Sequence, residues 1–456
     1  MDRRKFLETG LALAGAVAVP GAGPKPAARE LSLSEAEKKQ LLLETRRIFS
    51  GSRAEIKGKF FHYPSAGNYH SFFAWDSGTN VVINKYFSVE ESFNELETIY
   101  SFQEPDGRIP HEVRLEGMKE KDPMRNVTIA LLKSQFDDRG VSALIDPPNF
   151  IFALWDLFQF GNDQRVPALA EKAQKCADYL LSGRDLFGDG LVSIIHPWES
   201  GTDASPVFDE TIGVNFKSPT ASVEYLNRYV KLLNELAKIN FDPKKCAEQN
   251  IFVFEDTGYN AWTALGLVGL SRLYEKTGDQ AGAKKFLDKA KNMVAAMEKI
   301  FWDDKQGFFY PRWDRKNPKL SMRKTASGIL PLMTGLVSED KAHRLIEHLK
   351  RPDEFWTPYP VSFNAESELK NENLAFESKL LWRGHCVWSN INWGIALALE
   401  QYGEKQLAKE LTLRFAKMIL ASGFREFYDT RTGKGQGAQN FTWPGLVNDL
   451  IGKFKI

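Results

Sequence analysis

The chain has 456 residues, 60 Lys and Arg against 59 Asp and Glu, 43% hydrophobic residues and 11 tryptophans. That length rules out a small scaffold and allows either about three domains or one large ring or barrel. A formal net charge of +1 gives no general pull on phosphate, which argues against nucleic acid or an anionic membrane as partner.

The first residues read as an address rather than as fold. Arg3-Arg4 is followed by Lys5-Phe6-Leu7 and by a short apolar run from Leu11 to Val19 that ends at Pro20. The pattern resembles a bacterial twin-arginine export signal, since the run is about half of the ~20 residues needed to span a bilayer. Residues 1–30 are therefore expected to be signal and linker, with one domain over 31–456 and a periplasmic destination. No membrane contact is expected once the signal has been cleaved.

Beyond Ser34 the periodic segments are helical, and Ser34 with Glu37 has the spacing of a capping box. A unit then recurs in which an apolar helix meets a tight polar turn and a charged amphipathic helix follows. FIFALWDLFQF turns at Gly161-Asn162-Asp163, and AWTALGLVGLSRLYEKT turns at Gly278-Asp279. GILPLMTGLV turns at Ser338-Glu339-Asp340, NWGIALALEQY at Gly403-Glu404, and VVINKYF at Ser88. The segment from Phe441 to Phe454 supplies a sixth apolar helix with no partner after it. A helix that is apolar all round must be buried, and its charged partner shields it. Six apolar helices alternating with amphipathic ones predict an all-α (α/α)6 toroid with a helical insertion around 205–250. The long return connections emerge on one rim, where a rigid scaffold presents functional groups.

Four of these connections concentrate chemistry. The first holds Tyr69, Trp75 and Asp76, and the second Gln103 and His111. A third packs His196, Trp198, Glu199, Asp203, Asp209 and Glu210 together. The C-terminal pair supplies Trp382, Arg383 and Trp388, then Glu426, Gln439 and Trp443. Carboxylates beside tryptophans suit a sugar, whose C–H face lies on an indole while its hydroxyls need polar partners. Cleaving a glycosidic bond needs one protonated carboxyl and one ionised carboxylate, and an aromatic wall raises the pKa of the acid by desolvation. Trp393, at helical spacing before Ile395, reads as core, and Glu199 could serve loop backbone instead of substrate. Cys176, Cys246 and Cys386 lie far apart without Cys-x-x-Cys spacing, and no His-x-x-x-His or calcium loop is present. Neither a metal nor another cofactor is expected.

HPWESGTDASP (196–206), WRGHCVWSNINW (382–393) and EFYDTRTGKGQGAQNFTW (426–443) resemble glycoside hydrolase family 63, with AWDSGTN and FQEPDGRIPHE matching in the same order. That family includes processing α-glucosidase I and the bacterial mannosylglycerate and glucosylglycerate hydrolases. The resemblance spans roughly residues 60–445 and implies metal-free, inverting hydrolysis of a small α-glucoside or α-mannoside. It places the general acid on Asp203 and the general base on Glu426, with carboxyl groups ≈ 6.5–9.5 Å apart. It also implies that Trp75, Asp76, Gln103, Trp198 and Arg383 shape the sugar pocket. Tyr69, His111, Glu199, Trp382, Trp388, Gln439 and Trp443, which stand in the same stretches, complete the candidate set. His385-Cys386 and Thr430 depart from the family pattern, which usually has Pro near these places. A trehalase-type α-glucosidase, a polysaccharide lyase and a non-catalytic carbohydrate-binding toroid are the alternatives.

Overall fold

The computed structural model describes residues 31–114, 133–372 and 380–456. The expected signal and linker, residues 1–30, lie outside them.

In chain order the principal helices are α1 (Glu35–Ser52), α2 (Ala74–Asn84), α3 (Val89–Ser101), α4 (Asn149–Phe158), α5 (Val166–Gly183) and α6 (Ala221–Lys238). They continue as α7 (Thr257–Lys276), α8 (Gln280–Ile300), α9 (Glu339–Lys350), α10 (Ser389–Gln401), α11 (Lys405–Ser422) and α12 (Leu446–Phe454). The inner segments pack in a closed cycle. α2 lies on α4, α4 on α7, and α7 on a tight-turned segment at Leu330–Thr334; that segment lies on α10, α10 on α12, and α12 on α2. Every residue of α2 is buried, as is every residue of α7 from Thr257 to Ser271. Their amphipathic followers, α3, α5, α8 and α11, bury only one stripe and sheathe the ring. The (α/α)6 toroid read from the sequence is the observed fold.

Two elements differ from the sequence reading. The fourth inner segment is 3₁₀ helix, not α. Pro331 has no N–H to extend an α ladder backwards, and Gly335, at φ +68°, ends the segment after Thr334. The sixth apolar helix does have an outer partner, but it comes from the other end of the chain. Helix α1 packs on α12, with Asn448 Nδ2 donating to Thr45 Oγ1 at 2.8 Å. The predicted capping box forms at the start of α1, where Ser34 and Glu37 bond reciprocally.

The region read as an insertion builds a small second cluster around Ala204, Val214, Phe216, Ala221, Tyr225 and Tyr229, packed against Trp198. Helix α6 supplies its tyrosines. On the same rim, a three-stranded antiparallel sheet joins Val387–Trp388, Arg425–Tyr428 and Gly435–Gln439. This sheet aligns Trp388 opposite Phe427, so that Glu426 and the tryptophan wall belong to one rigid piece.

Candidate active site

The N-terminal ends of α2, α4, α10 and α12 converge on one cavity of about 110 Å³. The first residues of these helices, or those just before them, form its wall: Trp75 and Asp76, Asp146, Trp388, and Trp443. Tyr69, His111, Trp198, Asp203, Trp382 and Glu426 complete the polar and aromatic lining among the candidates. Helix N-termini carry partial positive charge, which favours a cluster of carboxyls there.

Glu426 is 5% exposed and bonded at both oxygens. Tyr69 Oη donates to Oε1 at 2.5 Å, and the Ala438 backbone N–H donates to Oε2 at 2.8 Å. Two donors aimed at one carboxyl suit its ionised form. Gly437, at φ +63°, lets the neighbouring strand come this close, since a Cβ there would lie 2.4 Å from Oε2.

Asp203 has the opposite surroundings. Burial, then the negative charge of Glu426, pushes its carboxyl up to about 7, so it holds a proton near neutrality. Its backbone is pinned from the insertion, with Tyr229 Oη donating to the Asp203 carbonyl at 2.5 Å and Tyr225 Oη at 3.2 Å. Gly201, at φ +69°, makes the turn that delivers Asp203 after the short helix Pro197–Ser200. Asp76 is also held well above the ordinary carboxylate range, first by burial and then by the charge of Glu426, with the Trp443 indole acting in the opposite sense.

The wall opposite is aromatic. Trp382 stacks on Trp388 with ring centroids 3.7 Å apart and planes 10° from parallel. Trp388 continues onto Phe427, and Trp443 lies 6.1 Å from Trp388. Trp382 reaches this position at φ +68°, a conformation unfavourable for a bulky residue, and such strain clusters at functional sites. The indole N–H groups of Trp75 and Trp388 are buried without a hydrogen-bond partner among the described residues. Unpaired buried donors are costly to a fold. Trp393 is core, its Nε1 donating to Asp449 at 2.7 Å.

Four of the candidate side chains lie elsewhere. Gln103 donates to the carbonyls of Gly107 and Lys172 and bridges loop to helix. Glu199 is fully buried in a two-pronged pair with Arg184, at 2.7 and 2.9 Å, and also accepts the backbone N–H groups of Ile145 and Ile195. Arg383 spends its fork on Asp209, Glu372 and the Ala204 carbonyl, with its guanidinium 3.4 Å above the Phe216 ring. The side chain of Gln439 is exposed on its strand, while its backbone pairs with Arg425 and its carbonyl accepts from Ser65. Each braces or borders the site without lining the cavity. His196 stands behind the wall, held neutral by burial, which lowers it to about 3, with Nδ1 accepting from the Trp198 N–H.

Asp146 lines the cavity and was not among the candidates. Its one sequence cue is its place at the mouth of the second inner helix, as Asp76 is at the mouth of the first. The two departures from the family pattern meet in space: Thr430 Oγ1 donates to Glu366 at 2.8 Å, and His385 Nδ1 lies 2.7 Å from the same carboxyl.

Comparison with known proteins agrees with this fold. The model of the mannosylglycerate hydrolase MGH1-like glycoside hydrolase domain matches residues 69–444. A mannosylglycerate hydrolase of Thermus thermophilus is 28% identical over 413 residues, covering 85% of this chain and 95% of the relative. Glucosylglycerate hydrolase of Mycolicibacterium hassiacum is 23% identical over 415 residues, or 84% of this chain and 92% of its own. The crystal structure of a family 63 mannosylglycerate hydrolase from another strain of Thermus thermophilus, in complex with Tris and D-glycerate, superposes with a TM-score of 0.75 at 25% identity. The match covers 90% of this chain and 99% of that one.

Proposed function

Because the chain belongs to the mannosylglycerate hydrolase MGH1-like glycoside hydrolase family and is a glycoside hydrolase, we propose that Asp203 and Glu426 are its acid and base in inverting hydrolysis of a small α-glucoside or α-mannoside. Glycosides of glycerate, the substrates named for its relatives, are the first compounds to test.

The observation that carries this reading is the contrast between two carboxyls in one cavity. Asp203, kept protonated by burial, is equipped to donate its proton to the departing glycosidic oxygen. Glu426, held by two donors, is equipped to take a proton from the water that attacks the anomeric carbon from the opposite face. The tryptophans that line the same cavity receive the sugar's C–H face, and the electron-rich rings favour the cationic transition state. Glu426 becomes protonated and Asp203 ionised in the same turnover, so exchange with solvent resets both.

The twin arginines add a further part to the proposal, export of the folded enzyme to meet a glycoside outside the cytoplasm. Incubation with a panel of α-glucosides and α-mannosides, including glucosylglycerate, mannosylglycerate and trehalose, tests the activity. The anomer first released is followed by NMR. A β-anomer as first product is expected; first release of the α-anomer would reject inversion.

A further inference from the structure

Asp146 is a cavity carboxyl to which the acid and base roles assign no task. Its position is fixed from several sides. The backbone N–H of Trp75 donates to Oδ2 at 3.1 Å, and Tyr259 Oη donates to the Asp146 carbonyl at 2.9 Å. The preceding residue is tied through Ile145 N–H to Glu199 Oε1 at 3.1 Å. Pro147 and Pro148 follow, and Pro147 fills the space beside Gly201 on the loop that carries Asp203. Two successive prolines restrict the backbone on the far side as tightly as the hydrogen bonds do on the near side.

The other oxygen is differently placed. Among the described residues Oδ1 makes no hydrogen bond, and it is not sealed from the cavity that Asp146 lines. A rigid, buried carboxyl with one oxygen anchored and the other presented to a cavity is built to meet a polar group of whatever enters. Asp76 and Asp203 line the same cavity and are, with Glu112, its electrostatic neighbours. Asp146 therefore faces the space a bound sugar would fill, in company with the proposed acid.

We propose that Asp146 is a substrate-binding residue whose Oδ1 hydrogen-bonds one ring hydroxyl of the sugar, and so helps decide which monosaccharide is accepted. The inference rests on the glycosidase reading above for the identity of the ligand as a sugar. Burial, the first cause of its elevated carboxyl, makes it able to donate as well as accept, so an axial and an equatorial hydroxyl are distinguished by direction rather than by charge.

Calorimetric titration of the wild type, Asp146→Asn and Asp146→Ala with D-glucose, D-mannose and their 2-, 3-, 4- and 6-deoxy derivatives tests the contact. The wild type is expected to bind one deoxy derivative roughly 10- to 100-fold more weakly than its parent, the scale of a hydrogen bond to a carboxyl group. Asp146→Ala is expected to lose that same factor for the parent sugar and to bind the critical derivative no more weakly than the parent. Asp146→Asn keeps an acceptor for the Trp75 N–H but presents an N–H donor in place of Oδ1, so if the alanine variant fails to fold, a change in the deoxy factor confined to the critical hydroxyl is the expected result, and an unchanged factor overturns the proposal. A penalty that is equal for every sugar, or absent, overturns the proposal. The deoxy pattern in a protein that hydrolyses no α-glycoside would reject the glycosidase reading and leave the Asp146 contact standing. Hydrolysis without the pattern rejects the contact alone.

Discussion

The hydroxyl of Tyr69 donates to Glu426 Oε1 at 2.5 Å, although 357 positions separate the two residues. The first loop of the ring thus holds the proposed base carried by the last. Tyr69→Phe removes the donor and leaves the ring. We expect kcat/KM to fall by roughly 10- to 100-fold, the worth of a hydrogen bond to a charged group. The acid limb of the pH profile should move to higher pH, because a carboxylate that loses a donor is protonated more easily. An unchanged profile would separate Tyr69 from the base.

Gly437 holds the second contact of Glu426. A methyl group there would meet Oε2 at 2.4 Å, on a backbone at φ +63°. Gly437→Ala is expected to cost about 1–3 kcal/mol of stability through the strained conformation. It should also displace the base, lowering kcat at least tenfold while KM stays within a few-fold. Denaturant melts and steady-state kinetics measure the two effects separately.

Asp203 sets a pH dependence of known sign. Its folded-state value of about 7 stands above the ordinary 3.8, so the folded protein binds the extra proton between those values. Stability from this group is full below about 4 and falls as pH rises towards 7, by on the order of 4 kcal/mol at most. Asp203→Asn should therefore be inactive, yet melt higher than the wild type at pH 8 and no higher at pH 4. Activity of the wild type should fall above about pH 7, where the acid loses its proton.

Glu199 and Arg184 are 0% and 1% exposed, and Glu199 also holds two backbone N–H groups on the loops that carry Asp146 and His196. Glu199→Ala leaves a buried guanidinium unpaired and is expected to destabilise the fold by about 3–5 kcal/mol. Glu199→Gln, which keeps the acceptor geometry at one oxygen, should cost less. Chemical denaturation of the three proteins checks the order.

The ring was legible because its signal is local and repeated: an apolar helix, a polar turn, then a helix with one apolar stripe. The partner of α12 was not, because α1 closes the ring from the opposite end of the chain, and no local pattern records that pairing. The aromatic wall was legible as tryptophans clustered with acids, whereas the acid and base roles of Asp203 and Glu426 came from the family resemblance of their motifs. That Gln103, Glu199, Arg383 and Gln439 border the cavity without lining it was not legible, because a polar residue in such a loop looks the same whether it faces a sugar or braces backbone. Asp146 escaped for the converse reason, standing among apolar residues and prolines where a helix cap would be the ordinary reading.

The closure of the ring by α1 bears on how the protein folds. Lys417 pairs with Glu37 and Asn448 with Thr45 across the seam, partners 380 and 403 positions apart. Pairings so distant in sequence are entropically costly to bring together, so this seam is expected to form late. A circular permutant that joined residue 456 to residue 33 and opened the turn at Gly278 would turn this long-range docking into a short hairpin.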